Sequence, residues 1–260
     1  MGKKILFGSN LKMYKGVEET ISYLQELQDL TKEMSRAEME LFIIPSYVTL
    51  ERAVKAVDTK LIKIGAQNMC WEDAGQFTGE ISPVMLKELG VSLVMIGHSE
   101  RRHVFGETDV QENQKVLAAL QHGFTTLLCI GETAEEKGYG ISKEILRIQL
   151  KKGLHQVSRK HLDHLWIAYE PVWSIGVAGV PATVDYVREI HQAIKESLEE
   201  LFGADGANIP VLYGGSVNAD NANEMIVEPL VDGLFVGRSA WQADKFSVLL
   251  RAAKKAKERG

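Results

Sequence analysis

The chain is poor in cysteine and proline, has no long apolar run, and carries no large excess of either charge. Cys70 and Cys129 are its two cysteines. They form no C-x-x-C pair, and no second pair exists to complete a zinc ligand set or a disulfide framework, so reduced thiols in a cytoplasmic setting are expected. With six prolines and no Ser/Gly tract, nothing reads as a linker, and residues 1–260 are expected to form a single domain. The first apolar run, Ile5-Leu6-Phe7, stops at Gly8-Ser9-Asn10, too short for a signal peptide or a membrane span. The Met1-Gly2 start also lacks the Ser or Thr at position 6 that N-myristoylation needs, since Leu6 stands there. No membrane partner is expected. Thirty Lys and Arg against 35 Asp and Glu give a formal charge of −5, which argues against a dedicated nucleic-acid binder. An anionic substrate would therefore need a local positive site.

What is present is a rhythm. With 45% apolar residues the chain has enough for a packed core. Its short apolar runs are Ile5-Phe7, Leu41-Ile44, Leu61-Ile64, Leu93-Ile96, Thr126-Ile130, Leu165-Tyr169, Val211-Tyr213 and Leu234-Val236. Between them apolar residues recur every three or four positions, as in Val17, Ile21, Leu24, Leu27 and Leu30, or Val184, Val187, Ile190, Ile194, Leu198 and Leu201, which marks amphipathic helices. Ser82-Pro83 and Thr183 have the chemistry of helix N-termini. The basic stretch Arg251 to Arg259 suits a helix C-terminus and otherwise reads as a solvated face. Eight strand–helix units in this length predict an α/β fold of the (β/α)8 barrel type with eight parallel strands. A doubly wound open sheet stays open as an alternative, because a buried parallel strand looks the same in both. Against it, Gly8-Ser9-Asn10-Leu11-Lys12 follows the first run where a dinucleotide fold would carry G-x-G-x-x-G.

In such a barrel the residues just after each strand gather at one mouth. Here they are polar: Asn10 and Lys12 after the first, His98, Ser99 and Glu100 after the fourth, and Glu170 after the sixth. Gly214-Gly215-Ser216 follows the seventh and Gly237-Arg238-Ser239 the eighth. Each has a plain structural alternative. Asn10 reads equally as a turn former, Lys12 as a solvated charge, His98 as a structural hydrogen-bond donor, Glu170 as a strand cap, and Gly-Gly-Ser as a tight turn. Taken together, a carboxylate, an imidazole, an ammonium and two glycine-rich anion cradles suit proton transfer on a phosphorylated carbonyl compound. His161 and His164 are spaced as a metal pair is, but no carboxylate motif accompanies them, and a solvated helix face is the expected reading.

Asn10-Leu11-Lys12-Met13, Gly97-His98-Ser99-Glu100-Arg101-Arg102, Phe105-Gly106-Glu107, Tyr169-Glu170-Pro171-Val172-Trp173, Tyr213-Gly214-Gly215-Ser216-Val217 and Asp232-Gly233 resemble the signature segments of the triosephosphate isomerase family, in family order from end to end. The resemblance implies an isomerase that needs neither cofactor nor metal. Glu170 would be the base that moves a proton between neighbouring carbons through an enediol(ate), and His98 a neutral electrophile at the start of a helix. Lys12 would supply positive charge, Asn10 a hydrogen bond to the developing oxyanion, and Glu100 a carboxylate beside the lysine or a structural ion pair. Backbone N–H groups of Gly176, Ser216, Gly237 and Arg238 would hold the substrate phosphate.

Pro171 to Thr183 resembles the family's lid, with Pro171-Val172-Trp173 as one hinge. Gln67-Asn68 and Gly75-Gln76-Phe77-Thr78-Gly79-Glu80 resemble the loop that family members insert into a neighbouring subunit. A homodimer is implied, with Thr78 steadying the partner copy's Asn10 and Lys12; the alternative is an ornate surface loop. Cys129 matches a family cysteine near the base, with packing as its role. Three departures stand out: Leu11 replaces an aromatic residue, the lid is one residue longer with Pro181 near its second hinge, and Arg238 replaces a glycine. They resemble a paralogous group acting on four-carbon ketose phosphates. The expected reaction interconverts dihydroxyacetone phosphate and D-glyceraldehyde 3-phosphate; the alternative interconverts L-erythrulose 1-phosphate and D-erythrulose 4-phosphate. A non-catalytic barrel that binds a phosphorylated ligand is the reading from another class.

Overall fold

The computed structural model describes residues 4–176 and 179–259. The Met1-Gly2-Lys3 start and Val177-Ala178 of the expected lid lie outside them. Eight parallel strands close in sequence order into a barrel: β1 (Ile5–Asn10), β2 (Met39–Ile44), β3 (Lys63–Ala66), β4 (Leu93–Ile96), β5 (Thr125–Ile130), β6 (Leu165–Tyr169), β7 (Val211–Tyr213) and β8 (Gly233–Phe235). Around it run α1 (Val17–Thr31), α2 (Leu50–Ala56), α3 (Pro83–Glu88), α4 (Ser99–His103), α5 (Asp109–Gln121), α6 (Ala134–Gly138), α7 (Ser142–Gly153), α8 (Val184–Phe202), α9 (Ala222–Val227) and α10 (Ala243–Lys257). The (β/α)8 expectation holds and the open sheet is excluded by the pairing of β1 with β8.

Alternation along the strands builds two cores. Leu6, Phe42, Ile44, Leu93, Met95, Leu127, Trp166, Leu212 and Phe235 fill the barrel interior, where Phe42 stacks on Phe235 with ring centroids 5.8 Å apart. Their neighbours, such as Phe7, Leu41, Ile43, Val94, Leu128 and Ile167, face outward against the helices. A strand buried on both faces reads as an unbroken apolar run, which is why the runs were visible. Gly8 is required inside: a Cβ there would overlap the Phe42 ring.

Five strands differ from the apolar runs, β2 and β5 only by starting earlier, at Met39 and Thr125. Leu61 and Ile62 belong to a turn, donating their N–H groups to the Asp58 carbonyl at 2.8 and 3.1 Å, so β3 begins at Lys63. Gly8, Ser9 and Asn10 continue β1 in register with Phe42, Ile43 and Ile44, so Asn10 ends the strand, and its side chain also forms the turn that follows by accepting from Lys12 N–H. β8 is set one residue earlier, at Gly233. The helix signals are met: Ser82 Oγ accepts from Met85 N–H at 3.2 Å and Thr183 Oγ1 from Tyr186 N–H at 3.3 Å. The basic end of α10 is partly engaged, with Lys257 Nζ donating to the carbonyls of Glu228 and Val231 at 2.9 and 3.1 Å. His161 and His164 lie on a short 3-10 helix, Arg159–His164. Among the described residues no helix is long and apolar enough to cross a membrane.

Candidate active site

The residue after β6 is gripped on both sides. Glu170 N–H donates to Ile130 O on β5, and Gly214 N–H donates to Tyr169 O, each at 2.8 Å. The ladder thus runs one residue past the strand and fixes the Glu170 backbone. Gly214 must lack a side chain, since a Cβ would come within 2.9 Å of Glu170 Cγ. The carboxylate is buried, with Oε2 unpaired among the described residues and Oε1 3.7 Å from His98 Nε2.

His98 caps α4, its Nδ1 accepting from Glu100 N–H at 3.2 Å. A ring nitrogen that accepts carries no proton, so in this hydrogen-bonded tautomer the proton of the neutral ring sits on Nε2, facing Glu170. Cys129, below the carboxylate, is inert by its surroundings: burial, then the adjacent Glu170, push its thiol well above the ordinary range.

On the opposite wall Asn10 Oδ1 accepts from Lys12 N–H at 2.8 Å and from Gln67 Nε2 at 3.1 Å. Gln67 Nε2 also donates to Lys12 O at 2.8 Å. These bonds hold Lys12 at φ 51°, a left-handed conformation that costs a residue with a Cβ about 1–2 kcal/mol. Lys12 Nζ reaches Glu100 Oε1 at 2.7 Å. Glu100 is therefore an ion-pair partner of Lys12 and, through its backbone, the group that orients His98.

The glycine-rich turns after β7 and β8 lie beside Gly176. Ser216 N–H is engaged by Ser174 Oγ at 3.1 Å, and Arg238 Nη2 donates to Gly176 O at 3.1 Å. Asn10, Lys12, His98, Glu100, Glu170, Gly176, Ser216, Gly237 and Arg238 all line one cavity of about 920 Å³. The structure brings every expected site residue to that cavity. Thr78 does not reach it and is exposed on its loop.

Three supporting residues carried no local signal as such. Gln67, whose segment resembles the family's intersubunit loop, clamps Asn10 and Lys12 within its own chain. Glu132, fully buried after β5, accepts at Oε1 from Tyr169 OH at 3.1 Å, Trp173 Nε1 at 2.8 Å and Tyr186 OH at 2.8 Å. Its backbone oxygen accepts from Val172 N–H at 3.0 Å, so it holds residues on both sides of Glu170. Arg102 joins the ends of β4 and β5 by donating to Gly97 O at 2.8 Å and Cys129 O at 3.1 Å. The one available hint was position: Glu132 also follows a strand C-terminus. No group of three or more His, Cys, Asp or Glu among the described residues is disposed to hold a metal ion.

A closed (β/α)8 barrel with its polar residues gathered over one cavity at the strand C-terminal ends has the build of a barrel enzyme. The family can be named from the whole chain: residues 5–253 match the model of the triosephosphate isomerase family, to which the chain belongs, and it is an isomerase. It is 44% identical over 244 residues to L-erythrulose-1-phosphate isomerase of Rhizobium etli, covering 94% of this chain and 90% of that one. It is 41% identical over 252 residues to triosephosphate isomerase of Carboxydothermus hydrogenoformans, covering 96% and 99%. The crystal structure of triosephosphate isomerase from Bartonella henselae superposes with a TM-score of 0.86 at 34% identity, covering 96% and 98%.

Proposed function

We propose that this isomerase moves a proton between adjacent carbons of a ketose phosphate, with dihydroxyacetone phosphate and D-glyceraldehyde 3-phosphate as its first pair of substrates. The observation that carries the reading is Glu170 Oε1 at 3.7 Å from His98 Nε2 inside one cavity. Glu170, its Oε2 unpaired, takes the proton from the carbon beside the carbonyl. His98 donates through Nε2–H to the carbonyl oxygen, and Lys12 and Asn10 stabilise the enediolate as charge develops. The phosphate rests on the backbone N–H groups of Gly176, Ser216, Gly237 and Arg238. Ser216 exchanges its bond to Ser174 Oγ for one to phosphate.

A four-carbon reading is favoured by the Rhizobium etli relative and by Arg238 in the turn after β8. L-erythrulose 1-phosphate is dihydroxyacetone phosphate with a hydroxymethyl on the reacting carbon, so the same base and electrophile serve. Discrimination then rests on room and on a hydrogen bond for the extra hydroxyl. The test is kcat/KM for both ketose phosphates on one preparation. A ratio strongly favouring the tetrose replaces the first substrate with the second; turnover of neither leaves the non-catalytic barrel.

The chain is also proposed to act as a homodimer. Met13, Val48, Val104 and Phe105 are exposed large apolar residues in the segments that follow β1, β2 and β4, Met13 to 94%. Together with the Thr78 loop they offer a surface for a second copy. Sedimentation equilibrium at micromolar concentration should give twice the chain mass; a monomer would refute it.

A further inference from the structure

Backbone amides make up the proposed phosphate cradle, and one of them is already in use, since Ser216 N–H donates to Ser174 Oγ at 3.1 Å. The ammonium of Lys12 is paired with Glu100 at 2.7 Å. Arg238 is different. Its guanidinium is exposed at the cavity rim and is bonded through Nη2 to a neutral carbonyl, that of Gly176, at 3.1 Å. Among the described residues no carboxylate pairs with it. A guanidinium has five N–H donors in a planar fork that matches two phosphate oxygens.

Its backbone is well anchored. Arg238 opens the 3-10 turn Arg238–Ala240. That turn is tied down by Tyr23 OH, which donates to Ala240 O at 2.6 Å, and by the adjacent Trp241, whose Nε1 donates to Asn10 O at 3.0 Å. The Gly176 carbonyl holds the exposed side chain at the cavity. An uncompensated cation so placed beside Gly176, Ser216 and Gly237 favours a dianion.

We propose that the Arg238 side chain is a direct ligand of the substrate phosphate, adding a charged contact to the backbone amides. The proposal rests on the sugar-phosphate reading above and goes beyond it by making affinity depend on a side-chain charge. Arg238→Gln keeps a polar side chain and removes the charge; Arg238→Lys keeps the charge and removes the fork. Inorganic phosphate is used as a competitive inhibitor alongside KM for each ketose phosphate, at about 0.02 M and about 0.3 M ionic strength. Thermal midpoints are recorded for every variant.

In Arg238→Gln, phosphate inhibition should weaken by about 10- to 100-fold at low salt, mostly in KM and not in kcat. Its dependence on salt should flatten, and Arg238→Lys should recover part of the loss. The inference is overturned if Arg238→Gln leaves phosphate inhibition within about twofold of wild type, or if both variants weaken it equally with unchanged salt dependence. Wild type that turns over sugar phosphate with Arg238→Gln unchanged removes this inference alone. Wild type that neither turns over sugar phosphate nor binds inorganic phosphate removes the functional reading and this inference with it.

Discussion

His191 provides a test in which the pH dependence can be worked out from one buried ring. It lies on α8, fully buried, with Nδ1 3.0 Å from Leu230 O and Nε2 unpartnered among the described residues. Its ring packs against Tyr169 and Tyr213, centroids 5.8 and 6.5 Å away, the residues just before Glu170 and Gly214. Burial pushes its pKa down to about 4; the Leu230 carbonyl and the charges of Asp232 and Glu228 oppose that shift without reversing it. The folded value lies below the unfolded one of about 6.5, so the unfolded chain binds the proton first. Stability is therefore intact above about pH 6.5 and is lost as pH falls toward about 4, by about 2 kcal/mol between pH 7.5 and pH 5. His191→Asn places an amide N–H where Nδ1–H donates and does not titrate. It lowers stability at every pH through the smaller side chain, but should remove this slope. Urea midpoints for both proteins between about pH 7.5 and pH 5 measure the difference. Equal slopes in the two proteins would refute the assignment.

Other perturbations act on the site. Glu170→Asp withdraws the carboxylate by about 1.5 Å and should lower kcat by about 100-fold with little change in KM, measured by steady-state turnover. Gln67→Leu removes the donor to Asn10 Oδ1 and Lys12 O and frees Lys12 from its left-handed setting; kcat/KM should fall by about tenfold, with a smaller change in thermal midpoint. Cys129 in the native protein should react with iodoacetamide at least about 100-fold more slowly than an unfolded control at pH 8, followed by mass spectrometry. Fast labelling would contradict its burial under Glu170.

Much of the fold was legible because both faces of the strands are apolar. β6 and β7 coincide with their runs, and α1 and α8 with their stripes. Legibility failed where side-chain size, not polarity, decides. β1 runs through Gly8, Ser9 and Asn10, where its apolar run has already stopped, because Gly8 makes room for the ring of Phe42, its pairing partner on β2. Leu61 and Ile62 are apolar but belong to a turn closed on Asp58. The site residues were legible because the barrel brings the residues that follow its strands to one mouth. Their supports were less so: Gln67, Glu132 and Arg102 act through side-chain bonds to elements distant in sequence, which no local period records. Arg238 was visible as a departure from glycine, yet its bond to Gly176 joins turns that only the closed barrel sets side by side.

Solvent deuterium exchange tests the central claim most directly. Wild type incubated with dihydroxyacetone phosphate or L-erythrulose 1-phosphate in deuterium oxide should place deuterium on the reacting carbon. Glu170→Gln should lower that rate by about 100-fold or more while inorganic phosphate still binds. Exchange within about tenfold of wild type in Glu170→Gln, or none with either sugar phosphate in wild type, would contradict the assignment of Glu170 as the base.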